Sequence, residues 1–442
     1  MAVSANIKSL EDIMRKDPGI SGDFQYMQQF SWLIFLKIFD SKEQEWELLE
    51  ENYISVLEPK YQWRNWAVDK KNKEALTGDD LLKFAEELFE YIKNIELTPE
   101  SDTRKIIFVK AMEDVNNYMK NGIYLRQVLN FLNNIDFNKN AEVHEFGDYY
   151  ESFLKNLQSA SKNSGEFYTP RPITDFMAEM TDPQLGDKIG DFACGTGGFI
   201  VSALNRLRTA GAGSLEDLSK YDNSVFGIEK KSVPYIMCCS NLLFHDVTNP
   251  NVVLGNTLET NYKEYRKQEK FDIILMNPPF GGKEDEQIQT NFPADFRSGE
   301  TFDLFLYVIM ERLKEGGKCG LILPDGFFFG DGVKQRLKEK LFSEFNVHTI
   351  IRLPNSVFAP YTPITTNILF FDRTGKTEET WFYRFDMPQG YKHFSKTKPL
   401  TWEHLNPIRD WWNNREEIIT DDKPKAKKYT FEEIKERNYN ID

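Results

Sequence analysis

Cysteine is scarce: the 442 residues hold four, Cys194, Cys238, Cys239 and Cys319, and none is paired in a C-x-x-C spacing. An adjacent pair such as Cys238-Cys239 closes a disulfide only with strain, so reduced thiols and no metal site are expected. Long apolar runs are missing too. The stretch 32–39 is interrupted by Lys37 and is far shorter than the roughly 20 residues that cross a bilayer, so no membrane contact is expected. The start, MAVSANIKSLEDIMRK, lacks a basic segment followed by an apolar run and a cleavage site, which points to a cytoplasmic protein. Positive charge is in deficit, with 55 Lys and Arg against 69 Asp and Glu and a net charge of −14. Non-specific grip on nucleic acid comes from Lys and Arg neutralising phosphates. A DNA substrate would therefore have to be held mainly by another subunit. What is plentiful is phenylalanine, 35 residues, within a 40% hydrophobic and 28% charged composition that suits a globular chain long enough for two folded units.

Residues 1–145 are dense in helix formers, for example at 80–93 and 103–119, and predict an all-helical domain. Segment 24–39 carries Met27, Phe30, Trp32, Leu33, Phe35, Leu36, Ile38 and Phe39 around most of its circumference, the pattern of a helix buried on nearly every side. From 146 to 415 short β-rich runs alternate with amphipathic segments. The fold class is α/β: a Rossmann-like, mostly parallel sheet of seven strands at 189–193, 225–229, 252–254, 271–276, 319–323, 347–353 and 367–371. Helices are expected at 173–180, 199–207, 233–244, 303–313 and 333–342, with a ligand site at the carboxyl ends of the strands. Residues 416–442 read as a C-terminal tail in which Lys423, Lys425, Lys427 and Lys428 form a solvated surface, contact with DNA or a partner being the sharper alternative.

Two turns carry chemistry. Asp191-Phe192-Ala193-Cys194-Gly195-Thr196-Gly197-Gly198 follows a strand and opens a helix, where glycine lets a cofactor's polar groups approach the backbone. A dinucleotide enzyme uses a similar turn, but the spacing here is G-x-G-G rather than G-x-G-x-x-G. Glu229 ends the next strand, where a carboxylate can accept hydrogen bonds from two ribose hydroxyls; the residue alone reads more readily as a surface acid. The second turn, Asn277-Pro278-Pro279-Phe280, ends an apolar strand that two prolines cannot prolong. It is a rigid turn at the least. Its chemistry also suits an exocyclic aromatic amine, whose lone pair is delocalised into the ring. An Asn oxygen and a backbone carbonyl accept the two amine hydrogens and favour a pyramidal nitrogen, while Phe280 stacks on a base taken out of the duplex.

With these segments in hand, the chain closely resembles the adenine-specific DNA methylases, and within them the modification subunits of type I restriction-modification systems. The resemblance runs through QQFSWLIFLKIFD (28–40), GEFYTPRPI (165–173), DFACGTGGF (191–199), FGIEK (226–230), NLLFHD (241–246), GNTL (255–258), NPPFGG (277–282), GGKCGLILPDGFFF (316–329), RLPNSVF (352–358) and TTNILFF (365–371). The order of the motifs is that of the gamma type. The resemblance implies methyl transfer from S-adenosylmethionine to the N6 amine of adenine. It implies that Glu166, Phe167, Tyr168, Thr169 and Pro170 lie near the methionine end of the cofactor and that Asp191, Ala193, Cys194, Gly195, Thr196, Gly197 and Gly198 lie under it. It places Glu229 on the ribose and Asn256, Thr257 and Leu258 near the cofactor's adenine, with Asn277, Pro278, Pro279 and Phe280 as the catalytic turn. Two positions depart from the family: Phe192 stands where Pro is common, and Asn256 where Asp is common. Relatives usually continue past the equivalent of Asn440-Ile441-Asp442 into a helical tail, so a shortened chain is an expectation.

The implied partners are duplex DNA with its target adenine flipped out, a specificity subunit that reads the site, a second modification subunit and, in some assemblies, a restriction subunit. Alternatives remain at this point. A methyltransferase acting on a protein amide or on RNA adenine shares the N-P-P-aromatic turn, an assembly subunit with a disabled pocket shares the fold, and so does a dinucleotide dehydrogenase.

Overall fold

The computed structural model describes residues 3–69, 75–137, 150, 168–209, 211, 214–265, 267–358, 364–395, 397–420 and 422–440. Two compact units divide the chain, one from 1–164 with 195–197 and 229–254, the other from 165–194, 198–228 and 255–442.

The first unit is built on the helix Asp23–Leu49, whose Phe30, Trp32, Leu33, Ile34 and Phe35 are fully buried. A helix apolar around its circumference needs neighbours on every side. Gly78–Lys93, Thr103–Met112, Gly122–Asn133 and Ser232–Phe244 are helices of the same unit, and Asp23–Leu49 packs against the last of these. The helix expected over 103–119 stops at Met112. Beyond it the backbone finds partners outside a helix: Tyr118 N–H donates to Gln29 Oε1 (2.7 Å), and Lys120 and Asn121 N–H donate to the Asp17 carboxylate (2.9 Å each). Side chains distant in sequence thus supply the acceptors that another helical turn would have supplied.

The second unit contains a sheet with strands in the order β2-β1-β4-β5-β7-β6-β8-β10-β9. β1 is Ile189–Asp191, β2 Val225–Glu229, β4 Phe271–Met276, β5 Leu313–Pro324, β6 Asn346–Arg352 and β7 Thr366–Asp372, while the remaining expected strand, β3 (Val252–Leu254), begins and ends within the first unit's residues. β2, β1, β4 and β5 run parallel, and β7 lies antiparallel between β5 and β6. Apolar runs such as β4 are buried on both faces, as a parallel strand covered by helices must be.

Three more strands extend the sheet: β8 (Glu379–Arg384), β9 (Ile418–Thr420) and β10 (Lys423–Thr430). The lysine-rich segment is therefore strand, paired antiparallel with β8. Its charges hid the pattern. Ala426 is buried, and Lys425, Lys427 and Lys428 lie over the rings of Tyr383, Tyr429 and Trp381 with their ammonium groups 5.8, 4.7 and 5.8 Å from the centroids. Long lysine stems cover apolar surface while the charge reaches water.

On β6, His348 is stacked on Phe370 and edge-on to Trp412. Burial first, then the nearby Arg415, push its pKa down to about 4. A depressed imidazole pKa favours the folded state above the unfolded value, and that contribution is lost as pH falls from about 6.5 through about 4. Changing His348 to Phe should flatten the acid limb of a melting-temperature profile between pH 7 and 4. An unchanged limb would remove His348 as its cause.

Candidate active site

β1 and β4 are adjacent and parallel, with Ile189 opposite Ile273, so their following turns leave the same end of the sheet. After β4 the side chain of Asn277 donates through Nδ2 to Thr169 Oγ1 at 3.0 Å. Its Oδ1 is buried and has no hydrogen-bond partner. An orphaned buried acceptor is uncommon and costly, so this oxygen is left available to a donor from outside the chain. Pro278 is buried and Phe280 half-buried, its ring 6.3 Å from that of Phe302. Gly282 allows the turn to lie against the next helix: a Cβ there would overlap Thr301 Oγ1. Tyr168 and Thr169 are buried, and Pro170 caps the helix Arg171–Thr181. Glu166 and Phe167 lie outside the described residues.

The end of β1 is held by its own hydrogen bonds. Buried Asp191 accepts from Ala193 N–H through Oδ1 (3.1 Å), and Cys194 N–H donates to Ile228 O (3.0 Å). Phe192, where the family commonly has Pro, is a core residue: its ring lies 5.3 Å from that of Phe271, with the buried Arg312 guanidinium 5.0 Å above it. Thr257 Oγ1 donates to Phe192 O (2.6 Å), Tyr265 OH donates to Thr257 O, and Asn256 Oδ1 caps Leu258 N–H (3.1 Å). The Thr257 hydroxyl is thus committed to the fold, and the Leu258 side chain is buried.

Within the first unit, Gly195 N–H donates to Glu229 Oε2 (2.9 Å), and Lys231 N–H donates to Oε1 (2.7 Å). Glu229 is only 6% exposed, not a surface acid. Burial raises its pKa, against the pull of the N–H groups of Lys231 and Gly195. Asn241 Nδ2 donates to Thr196 O (2.8 Å). Gly195 and Gly197 have φ of 54° and 85°, and a Cβ on Gly197 would stand 2.9 Å from Cys238 Sγ. Both conformation and space exclude larger residues at Gly197.

The N-6 DNA Methylase family model matches residues 141–442, and that of the HsdM N-terminal domain matches residues 3–132. The chain belongs to the N-6 DNA Methylase family. It is 45% identical over 446 residues to the type I restriction enzyme EcoEI methylase subunit of Escherichia coli, covering 100% of this chain and 90% of that protein. A crystallised modification subunit from Vibrio vulnificus YJ016 is 38% identical with a TM-score of 0.84, covering 97% of this chain and 92% of that one. A chain from a structure of the type I R-M system is 33% identical with a TM-score of 0.87, covering 100% and 90%. The chain is a modification subunit of the type I class, an adenine-specific DNA methyltransferase. Among the described residues of this methylase, no helix is long and apolar enough to cross a membrane.

Sequence reasoning did not foresee that Thr169 and Asn277 would be partners, nor the roles of Tyr265 and Asn291. Asn291 Nδ2 donates to the carbonyls of Leu258 and Glu259 (3.0 Å each), bracing the methylase's GNTL turn from 32 to 33 residues away. No local spacing marks such residues. The GEFYTP and NPPF motifs were each visible, but the hydrogen bond between them was not.

Proposed function

We propose that this methylase uses S-adenosylmethionine and that Asn277, Pro278, Pro279 and Phe280 receive the target adenine of duplex DNA. The observation that carries the reading is the buried, unpartnered Oδ1 of Asn277. That oxygen accepts one hydrogen of the N6 amine and the carbonyl of Pro278 the other. Both counter the delocalisation that makes the amine a poor nucleophile. Phe280 stacks on the flipped base and offsets part of the few kcal/mol lost on unstacking.

The residues at β1 and β2 suit the cofactor. Glycines at positive φ make the tight turn after β1, and Asp191 and Glu229 are each buried carboxylates able to accept from a cofactor's hydroxyl and ammonium donors. Bound S-adenosylmethionine supplies an electrophilic methyl group carried on a sulfonium. Glu229 holds the ribose, Asp191 to Gly198 line the turn beneath it, Asn256, Thr257 and Leu258 border the adenine, and Glu166 to Pro170 border the methionine end. Residues 1–145 form the helical domain, 146–415 the methyltransferase domain and 416–442 the segment that meets a partner.

The net charge of −14 supports division of labour with a specificity subunit that reads DNA and a second copy of this chain, joined in cleaving assemblies by a restriction subunit. The test is transfer of labelled methyl to duplex DNA with and without that specificity subunit. Transfer to adenine that rises steeply on its addition is the expected result. Label appearing in protein or RNA instead would overturn the reading.

A further inference from the structure

A stacking residue is useful only if its ring plane is set before the base arrives, because a freely turning ring must be ordered at the moment of binding. Phe280 stands on a turn, half-buried, with Gly281 at φ 76° immediately after it. What holds it lies beyond the turn. Thr301 N–H donates to Gly282 O (3.0 Å), Glu284 N–H donates to Gly299 O (2.9 Å), and Lys283 and Glu300 form an antiparallel bridge, so segments 282–284 and 299–301 are zipped together. Thr301 Oγ1 adds a bond to Glu284 Oε1 (2.9 Å). The next residue is Phe302. It is 2% exposed, tilted 59° to the ring of Phe280, and backed by Phe327 at 5.2 Å in an edge-on pair.

We infer that Phe302 is a positioning residue for the target base, acting through Phe280: braced on Phe327, its ring sets the plane on which the flipped adenine stacks. Asp303 anchors it from the other side. That carboxylate, 2% exposed, accepts from Ser298 Oγ (2.7 Å) and from Lys334 Nζ (2.8 and 2.9 Å). The start of the Thr301–Arg312 helix, where Phe302 sits, is thereby tied to the helix Val333–Glu344. Phe327 belongs to the Gly326–Phe329 turn that follows β5, the strand beside β4, so the brace is built on the same sheet as the Asn277 turn. Phe302 touches neither DNA nor cofactor in this scheme.

The inference rests on the reading of Phe280 as the stacking residue, and a double-mutant cycle separates the two. The complex of this chain with its specificity subunit is bound to duplex carrying 2-aminopurine at the target position. Fluorescence of that base, and the KM for the same duplex with adenine at the target, are measured for Phe302→Leu, Phe280→Ala and the double variant. An aromatic pair is worth a factor of about 2 to 12 in an equilibrium constant. Phe302→Leu should raise the KM for DNA by a factor in that range and alter the base's fluorescence. In the Phe280→Ala background the same change should have no further effect. Phe302→Met, whose flexible unbranched chain can fill an irregular gap without a ring, gives the same reading should leucine pack poorly. If Phe280→Ala leaves the base's fluorescence unchanged, the stacking reading falls. If Phe280→Ala alters it but Phe302→Leu is additive with it, Phe302 is core alone and the inference is overturned.

Discussion

Asn277→Ala is expected to lower methyl transfer to duplex DNA by about 100-fold or more while leaving cofactor affinity within a small factor of its original value. The size follows from the part proposed for the oxygen. As the methyl group arrives, positive charge grows on the amine nitrogen, and an acceptor already aimed at its hydrogens stabilises that charge without reorganising. Removing one such group from a comparable site costs about 10²–10³ in turnover. Oδ1 is preorganised because Nδ2 is held by Thr169 Oγ1 at 3.0 Å. Asn277→Asp provides the graded comparison. A carboxylate still accepts, and the Thr169 hydroxyl can donate to it, so the Asp variant should retain more turnover than the Ala variant. Single-turnover kinetics on the reconstituted complex, beside equilibrium titration of the cofactor, provides both readouts. Ordinary turnover in the Ala variant would sink the catalytic assignment.

The second large effect is on stability. Lys334→Met should destabilise the second unit by about 3–5 kcal/mol, because removal of one partner strands a buried charge. Asp303 is 2% exposed, and both of its oxygens accept from Lys334, whose side chain is itself 15% exposed. Without the ammonium, the Ser298 hydroxyl remains as a donor to that carboxylate. Glu300, the other partner of Lys334 at 2.7 Å, is 57% exposed in its side chain and contributes little. Chemical unfolding should show an earlier midpoint for the transition of the second unit. The double variant Asp303→Leu with Lys334→Met should recover most of the loss, since an apolar pair of similar volume leaves no charge behind. A midpoint shift worth less than about 1 kcal/mol would mean that water reaches the pair and screens it.

The Asn277–Phe280 turn was legible because its grammar is local. An apolar run ending in Asn-Pro-Pro-Phe declares a strand that must stop, and β4 ends at Met276, immediately before Asn277. The glycine-rich turn after β1 was legible for the same reason, its strained φ values being written in glycine. Where several rules competed, the reading failed. The helix expected at 103–119 ends at Met112, and farther on Gln29 and Asp17, some 90 and 100 residues away, take the backbone donors of Tyr118, Lys120 and Asn121. The segment that reads as a tail is strand β10: its lysine count masks stems lying over Trp381, Tyr383 and Tyr429.

From the sequence alone came the alternation of strand and helix, the order of the motifs and the two turns after β1 and β4, because period, proline and glycine act within a few residues of themselves. Tertiary structure decided the rest. That Glu229 is buried beneath Gly195 N–H, that Thr169 occupies the amide of Asn277 and leaves its oxygen unanswered, and that Phe302 backs Phe280 all depend on which distant segments meet. A hydrogen-bond acceptor left over inside a protein is a property of its surroundings, and only folding supplies those.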